Sequence, residues 1–238
     1  MPVLCAPFVG SLLGVLIRRM PDERPIAMAR SACEACGHRL GPLELVPVLS
    51  FLALRGRCRH CQAAIAPAHL WVELAATAVA AMAVCVDAGA WAWAGCALGW
   101  TLLALAWIDA GHFWLPDALT LPLLVAGLGV TWWLDPAAAA DHAAAAALAY
   151  LLLRGLAWAY RRWRGRDGLG QGDAKLLAAG GAWLGLAALP WVLFAGAATG
   201  LQLALAMRRS GTRLHAATML PFGPPLAVAI WGVWLWGV

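Results

Sequence analysis

Two aspartates occupy positions where a carboxylate needs a reason. Asp109 closes an apolar run in Trp107-Ile108-Asp109-Ala110-Gly111-His112, and Asp173 follows a glycine-rich turn, Gly168-Leu169-Gly170-Gln171-Gly172, with Lys175 just beyond. A helix C-terminus is the wrong end of the macrodipole for an anion, so an acid retained there points to chemistry. Asp173 stands where the next apolar helix should begin, which is favourable, and capping there is compatible with catalysis. Two acids brought together can divide the work of hydrolysis, one taking a proton from water while the other polarises a carbonyl. Gly170 and Gly172 would let a substrate backbone lie against the turn, because no Cβ stands in the way. The same pair could instead serve a proton-coupled transporter, in which intramembrane acids carry protons beside broken helices.

A second constellation is Cys33-Glu34-Ala35-Cys36 and Cys58-Arg59-His60-Cys61. Two C-x-x-C knuckles suit one tetrahedral zinc, each supplying two thiolates while the chain between brings them together. Labile disulfides or free thiols are the competing reading, and a reducing cytoplasmic location disfavours disulfides. Cys5, Cys85 and Cys96 fall within apolar runs and read as small packing residues. Glu73, about a turn inside an apolar helix, is either functional or merely reaches the interface or an arginine of the neighbouring loop. Asp117, after Pro116 and before an apolar run, is expected to cap the helix it opens. His112 reads as a solvent or structural residue.

The elements that must position these groups are membrane helices. With 63% hydrophobic and 12% charged residues over 238 positions, the chain is too apolar for a soluble domain, and its fifteen tryptophans suit water–lipid boundaries. Apolar segments at about 1–17, 68–86, 90–108, 118–134, 143–160, 174–188, 190–207 and 217–238 predict an all-α bundle of about eight transmembrane helices. Met1–Ile17 lacks a basic leader and a small-residue cleavage site, so it is expected to stay as the first helix. The expected domains are this helix (1–17), a cytoplasmic tetracysteine loop (18–66) and a membrane core (67–238).

Charge orients the bundle. With the N-terminus outside, all 17 basic residues fall on cytoplasmic segments, Arg30, Arg166 and Arg213 included, and the external loops carry Asp87, Asp135 and Asp141. Both Asp109 and Asp173 are then cytoplasmic, and both termini are periplasmic. The net charge of +5 is thus accounted for by topology, and no nucleic-acid partner is expected. The alanine-rich flanks at 137–140 and 143–147 are packing material that lets helices approach.

These pieces together resemble a known family, the type IV prepilin peptidases, bifunctional leader peptidases and N-methyltransferases. The resemblance is carried by the four cysteines, by Pro47-Val48-Leu49-Ser50-Phe51-Leu52 and Arg55-Gly56-Arg57-Cys58, by Ile108-Asp109 through Leu115-Pro116-Asp117 to Pro122, by Gly170-Gln171-Gly172-Asp173-Ala174-Lys175, and by Leu220-Pro221-Phe222-Gly223-Pro224. It implies a membrane aspartyl endopeptidase with Asp109 and Asp173 as the essential pair, supported by Gly170, Gly172, Lys175, Asp117 and Glu73. It also implies cleavage of the basic leader of type IV prepilins or type II secretion pseudopilins after a glycine, at the cytoplasmic face of the bacterial inner membrane. Methylation of the new N-terminus from S-adenosylmethionine would follow. The chain departs from the family pattern at Gly14 and at Pro67-Ala68-His69-Leu70-Trp71, which bears on the methyltransferase more than on the protease.

Overall fold

The computed structural model describes residues 1–26, 31–165, 168, 170–210 and 220–237. Arg30, Arg166, Leu169 and Arg213, which contribute to the charge pattern and to the turn before Asp173, lie outside the described residues. The described residues are almost wholly helical and divide into two compact units, 1–104 and 105–238, with the boundary inside one long helix.

In the first unit, α1 (Pro2–Arg19) packs against α3 (Ala68–Val86) through a seam of small residues, with Ala6, Ala76, Ala80 and Ala83 all buried. Such residues let helix backbones come close where lipid offers no hydrophobic drive. The indole N–H of Trp100, on α4 (Gly89–His112), donates to the Ala76 carbonyl at 2.9 Å. Between α1 and α3 runs the loop with the short helix α2 (Leu49–Ala53) and one 3-10 turn at Pro42–Leu45. Of its described residues between 20 and 67, only Pro47 and Cys58 are buried.

The second unit holds α5 (Asp117–Leu134), α6 (Ala139–Arg164), α7 (Gln171–Leu184), α8 (Leu189–Arg209) and α9 (Gly223–Trp236). α7 is its centre, packed on α5, α6 and α9, and Asp173, Ala174 and every residue from 176 to 183 are buried. Gly181 makes this closeness possible: a Cβ there would sit 2.8 Å from the Ala145 backbone of α6. At the far end of α7 the Asp141 carboxylate accepts the Leu186 N–H at 2.9 Å, which fixes the turn into α8.

Among the described residues six helices, α1, α3, α4, α5, α6 and α8, are long and apolar enough to cross a membrane, while α7 and α9 have 14 residues each. Several boundaries differ from the sequence expectation. α4 runs on to His112, so Asp109 lies within the helix and not in the loop after it. α7 begins at Gln171, so Asp173 sits in its first turn rather than at its cap. α5 begins at Asp117 with Pro116 as its cap, because proline's extended backbone already breaks the preceding turn and leaves Asp117 the first helical position.

Candidate active site

Asp109 is 6% exposed and its Oδ2 accepts the backbone N–H of Gly223 at 2.9 Å. Gly223 is the first residue of α9, so its N–H is one of the donors a helix start leaves without an internal partner. The disadvantage of an anion late in α4 is therefore met by the positive end of a second helix. A Cβ at Gly223 would fall 2.6 Å from that same carboxylate oxygen, so only glycine leaves room for the contact. Sequence reasoning did not single out Gly223 by itself. Its signal was the glycine between prolines in Leu220-Pro221-Phe222-Gly223-Pro224, a pattern that marks a helix start.

Asp173 is 8% exposed, and its Oδ2 reaches back to accept the Gly170 N–H at 3.2 Å. This gives Gly170 a definite place, as the cap whose amide Asp173 satisfies. Gly172 packs on Leu115, where a Cβ would meet the Leu115 side chain at 2.8 Å. Although they lie on different helices, Asp109 and Asp173 come near enough for the charge of Asp109 to act on the Asp173 carboxylate.

Lys175 does not attend Asp173. Its Nζ donates to both carboxylate oxygens of Asp117 at 2.6 and 2.7 Å, which ties the start of α7 to the start of α5. Asp117 is thus a partner for Lys175 and not the cap of its helix. Between α4 and α5, Phe113 adopts a left-handed backbone (φ 52°), and Phe113, Trp114 and His112 are exposed. The Asp pair accordingly has backbone amides, not a cation, among its direct partners.

The first unit contains a separate constellation. Cys33, Cys36, Cys58 and Cys61 bring their sulfurs within 4.8 Å of one another, and the Cys33 and Cys61 sulfurs are 3.8 Å apart. Tetrahedral zinc with bonds of about 2.3 Å spaces its sulfurs by about 3.8 Å, so the four thiols fit one such ion. The two knuckles are conformational twins. The Cys33 N–H donates to the His38 carbonyl and the Gly37 N–H to the Cys33 carbonyl, and Cys58 repeats this with Ala63 and Gln62. Gln62 (φ 59°) takes the left-handed position that Gly37 (φ 69°) fills in the first knuckle. His38 and His60 stack with ring centroids 3.6 Å apart. The N–H groups of Cys36 and Ala35 hold the Cys33 thiol down to about 7. The His38 N–H favours the Cys36 thiolate, but desolvation and the neighbouring thiols of Cys61 and Cys33 outweigh it and push that group up to about 11.

Glu73 is 8% exposed and points away from the membrane-facing surface of α3 into the loop. Its Oε2 accepts the Val48 N–H at 2.7 Å, so its loop partner is a backbone amide and not the arginine expected as one alternative. Val48 has φ 62° and ψ −53°, and the Leu49 N–H closes on the Pro47 carbonyl at 2.6 Å. That is the rare, strained form of γ-turn, here centred on a β-branched residue.

Comparison with known proteins matches this division. Residues 4–87 match the Bacterial Peptidase A24 N-terminal domain and residues 96–205 the Type IV leader peptidase family. The first match contains the four cysteines and Glu73, and the second contains Asp109 and Asp173. The chain is 40% identical to a prepilin leader peptidase/N-methyltransferase of Aeromonas hydrophila, covering 96% of this chain and 87% of that one. Proteins of the same name are 42% identical in Burkholderia pseudomallei (92% and 79% covered) and 36% identical in Pseudomonas aeruginosa (99% and 89% covered). No solved structure matches. None of these relatives is a transporter, and the transporter alternative finds no support. With relatives this similar along nearly its whole length, the chain belongs to the type IV leader peptidase family.

Proposed function

We propose that this chain is a membrane aspartyl endopeptidase that removes the leader of type IV prepilins or type II secretion pseudopilins, with Asp109 and Asp173 as the catalytic pair, and that it methylates the N-terminus so exposed. The observation that carries the reading is a pair of buried carboxylates close enough for Asp109 to act electrostatically on Asp173, each held by an amide at or beside a helix start. An aspartyl pair works with one proton between its two carboxylates. The ionised member takes a proton from water as the water oxygen bonds to the scissile carbonyl carbon, and the protonated member donates to the carbonyl oxygen. Collapse of the tetrahedral carbon breaks the C–N bond, and the departing amine takes a proton from the pair. Gly223 and Gly170 orient the two carboxylates, and the Lys175–Asp117 ion pair positions the helices that carry the site.

Cys33, Cys36, Cys58 and Cys61 hold a structural zinc in this reading, which staples a loop too poorly buried to order itself. S-adenosylmethionine, when bound, supplies an electrophilic methyl group to the new amino terminus. The domains read as a first helix (1–17), the tetracysteine loop (18–66) and the protease core (67–238). In this reading the protein lies in the bacterial inner membrane among lipid, with termini periplasmic and site cytoplasmic, and the arginines that end α1, α6 and α8 support that orientation. Nucleic acid has no role in it.

The deciding experiment replaces each aspartate by asparagine, which keeps the shape and removes the acid. Cleavage of a purified prepilin in detergent should fall by about 10²- to 10⁴-fold for Asp109→Asn and for Asp173→Asn, with membrane insertion unchanged. Full cleavage by either variant removes the pair from the mechanism. Orientation has its own check: an export-dependent phosphatase should be active when fused after Asp87 and silent when fused after Arg164, and the reverse pattern would invert the topology.

A further inference from the structure

α2 and the 3-10 turn before it carry large apolar side chains outward. Leu43 is 78% exposed, Leu49 66% and Leu52 60%. The other side of α2 turns inward: Ser50, Phe51 and Leu54 line a cavity between α1, α3 and the loop, and Leu49 and Leu52 do not. Leucines left this bare in so short a stretch mark a surface that meets something apolar. Height decides what it meets. A hydrocarbon core is about 30 Å thick, and the 19 residues of α3 rise about 28 Å, so a crossing uses the whole helix. Glu73 stands five residues beyond the start of α3, about 7.5 Å along its axis. Its side chain leans back toward that start, and its Oε2 accepts the Val48 N–H at 2.7 Å. The chain entering α2 is thereby held at the boundary of the core.

We propose that α2 is an interfacial anchor, with Leu49 and Leu52, and Leu43 of the neighbouring 3-10 turn, seated among the acyl chains of the leaflet where α3 begins. Helices that lie in a membrane surface sink their apolar face about 5–10 Å into the headgroup and acyl boundary, which is the level at which Glu73 holds this one. A segment there must satisfy its own backbone donors, because acyl chains accept none. Pro47 has no N–H to satisfy. Val48 donates to Glu73, Leu49 to the Pro47 carbonyl at 2.6 Å, Ser50 to Val46 at 3.0 Å and Leu52 to Val48 at 3.0 Å. The strained turn centred on Val48 is where the first two of these closures meet. Arg55 and Arg57, both exposed, follow at once and suit the headgroup layer. Lipid is the occupant this position selects, since a face held at the end of a spanning helix meets acyl chains before any soluble protein. The loop expected at 18–66 as a cytoplasmic domain is then fastened to the membrane at its middle. The inference rests on α3 crossing the bilayer and on neither enzymatic activity.

The test uses the full chain, one copy to a nanodisc of phosphatidylcholine that includes a phospholipid with a diazirine in the upper part of one acyl chain. Illumination and peptide mapping by mass spectrometry should find label on Leu49 or Leu52. Trp71, 60% exposed in the first turn of α3, serves as the internal reference. A water-soluble diazirine should leave 49–52 unmarked. Leu49→Glu with Leu52→Glu should cut the lipid label at 43–52 by about tenfold, and Leu49→Met with Leu52→Met should keep it. Helical circular dichroism is measured for both variants. Should the glutamate variant fail to fold, the two reagents on the wild-type chain decide between lipid and water. Lipid label confined to the spanning helices, or 49–52 marked by the water-soluble reagent, overturns the proposal. So does lipid label at 43–52 that vanishes when discs hold two copies or when a prepilin is added at saturation, since the face would then belong to a second copy or to substrate.

Discussion

The loop of the first unit and the aspartate site of the second are held together by opposite means. Among the described residues between 20 and 67 almost no side chain is buried, and order comes from paired knuckles, single backbone bonds and four converging thiols. Around Asp109 and Asp173 order comes from packing: α7 is buried along nearly its whole length, and helix starts donate to the acids. A region of the first kind depends on what binds it. A region of the second kind depends on what fits inside it, so single-atom intrusions should damage one and chelators the other.

The sharpest way to break the aspartate site without touching an acid is Gly223→Val. The added side chain claims the space of the Asp109 Oδ2 and should displace the carboxylate, and a misplacement of about 1 Å can cost about 10²-fold in rate. Cleavage kinetics on protein with an unchanged helical circular dichroism spectrum measures this. Near-normal cleavage would show that the α9 start does not position Asp109.

Next in size is the loop. Cys36→Ser with Cys61→Ser should abolish binding of the proposed zinc and expose 20–67 to limited proteolysis, while residues 105–238 stay resistant. Cleavage throughout the chain would instead make the metal a support for both units. Metal retention also carries a pH signature. Above about 7 the Cys33 thiol is already ionised, so binding a metal displaces no proton from it. Below about 7 a proton must leave, and affinity should fall more steeply as pH is lowered. A chelator titration across that range measures the change of slope, and its absence would show that Cys33 is not among the ligands.

Lys175→Met should have the smallest effect. The Lys175–Asp117 pair is partly exposed, and pairs of that sort contribute about 0–1 kcal/mol, so cleavage should fall no more than about fivefold. If the pair is the whole of Lys175's role, Asp117→Asn should act alike and the double variant should add nothing. A hundredfold loss from Lys175→Met alone would place the amine at the substrate.

These contrasts also account for what the sequence could and could not disclose. Helical character, the apolar runs, the cysteine pairs and both aspartates were readable because each is a local pattern of composition or spacing. The α3 helix, Ala68–Val86, coincides with the apolar run expected at about 68–86, since polar loop and apolar run meet sharply there. Contacts across long separations were not readable. Nothing near Asp109 announces Gly223, and nothing near Lys175 announces Asp117, because a helix start chooses its partner through packing and not through spacing. The direction of Glu73 was hidden for the same reason: its partner is an amide, which every residue carries and no letter of the sequence marks.

One dimension of the second unit has a further consequence. The two helices whose starts meet the aspartates, α7 and α9, have 14 residues each, about 21 Å of rise, whereas a hydrocarbon core is about 30 Å thick. The far end of α7 is tied to a polar, exposed corner at Asp141, so its shortfall lies at the Asp173 end. Where helix is missing, bilayer thickness is made up by other protein, by water or by local thinning. A helix about six residues short leaves a wet notch beside Asp173, where the proposed hydrolysis would draw its water.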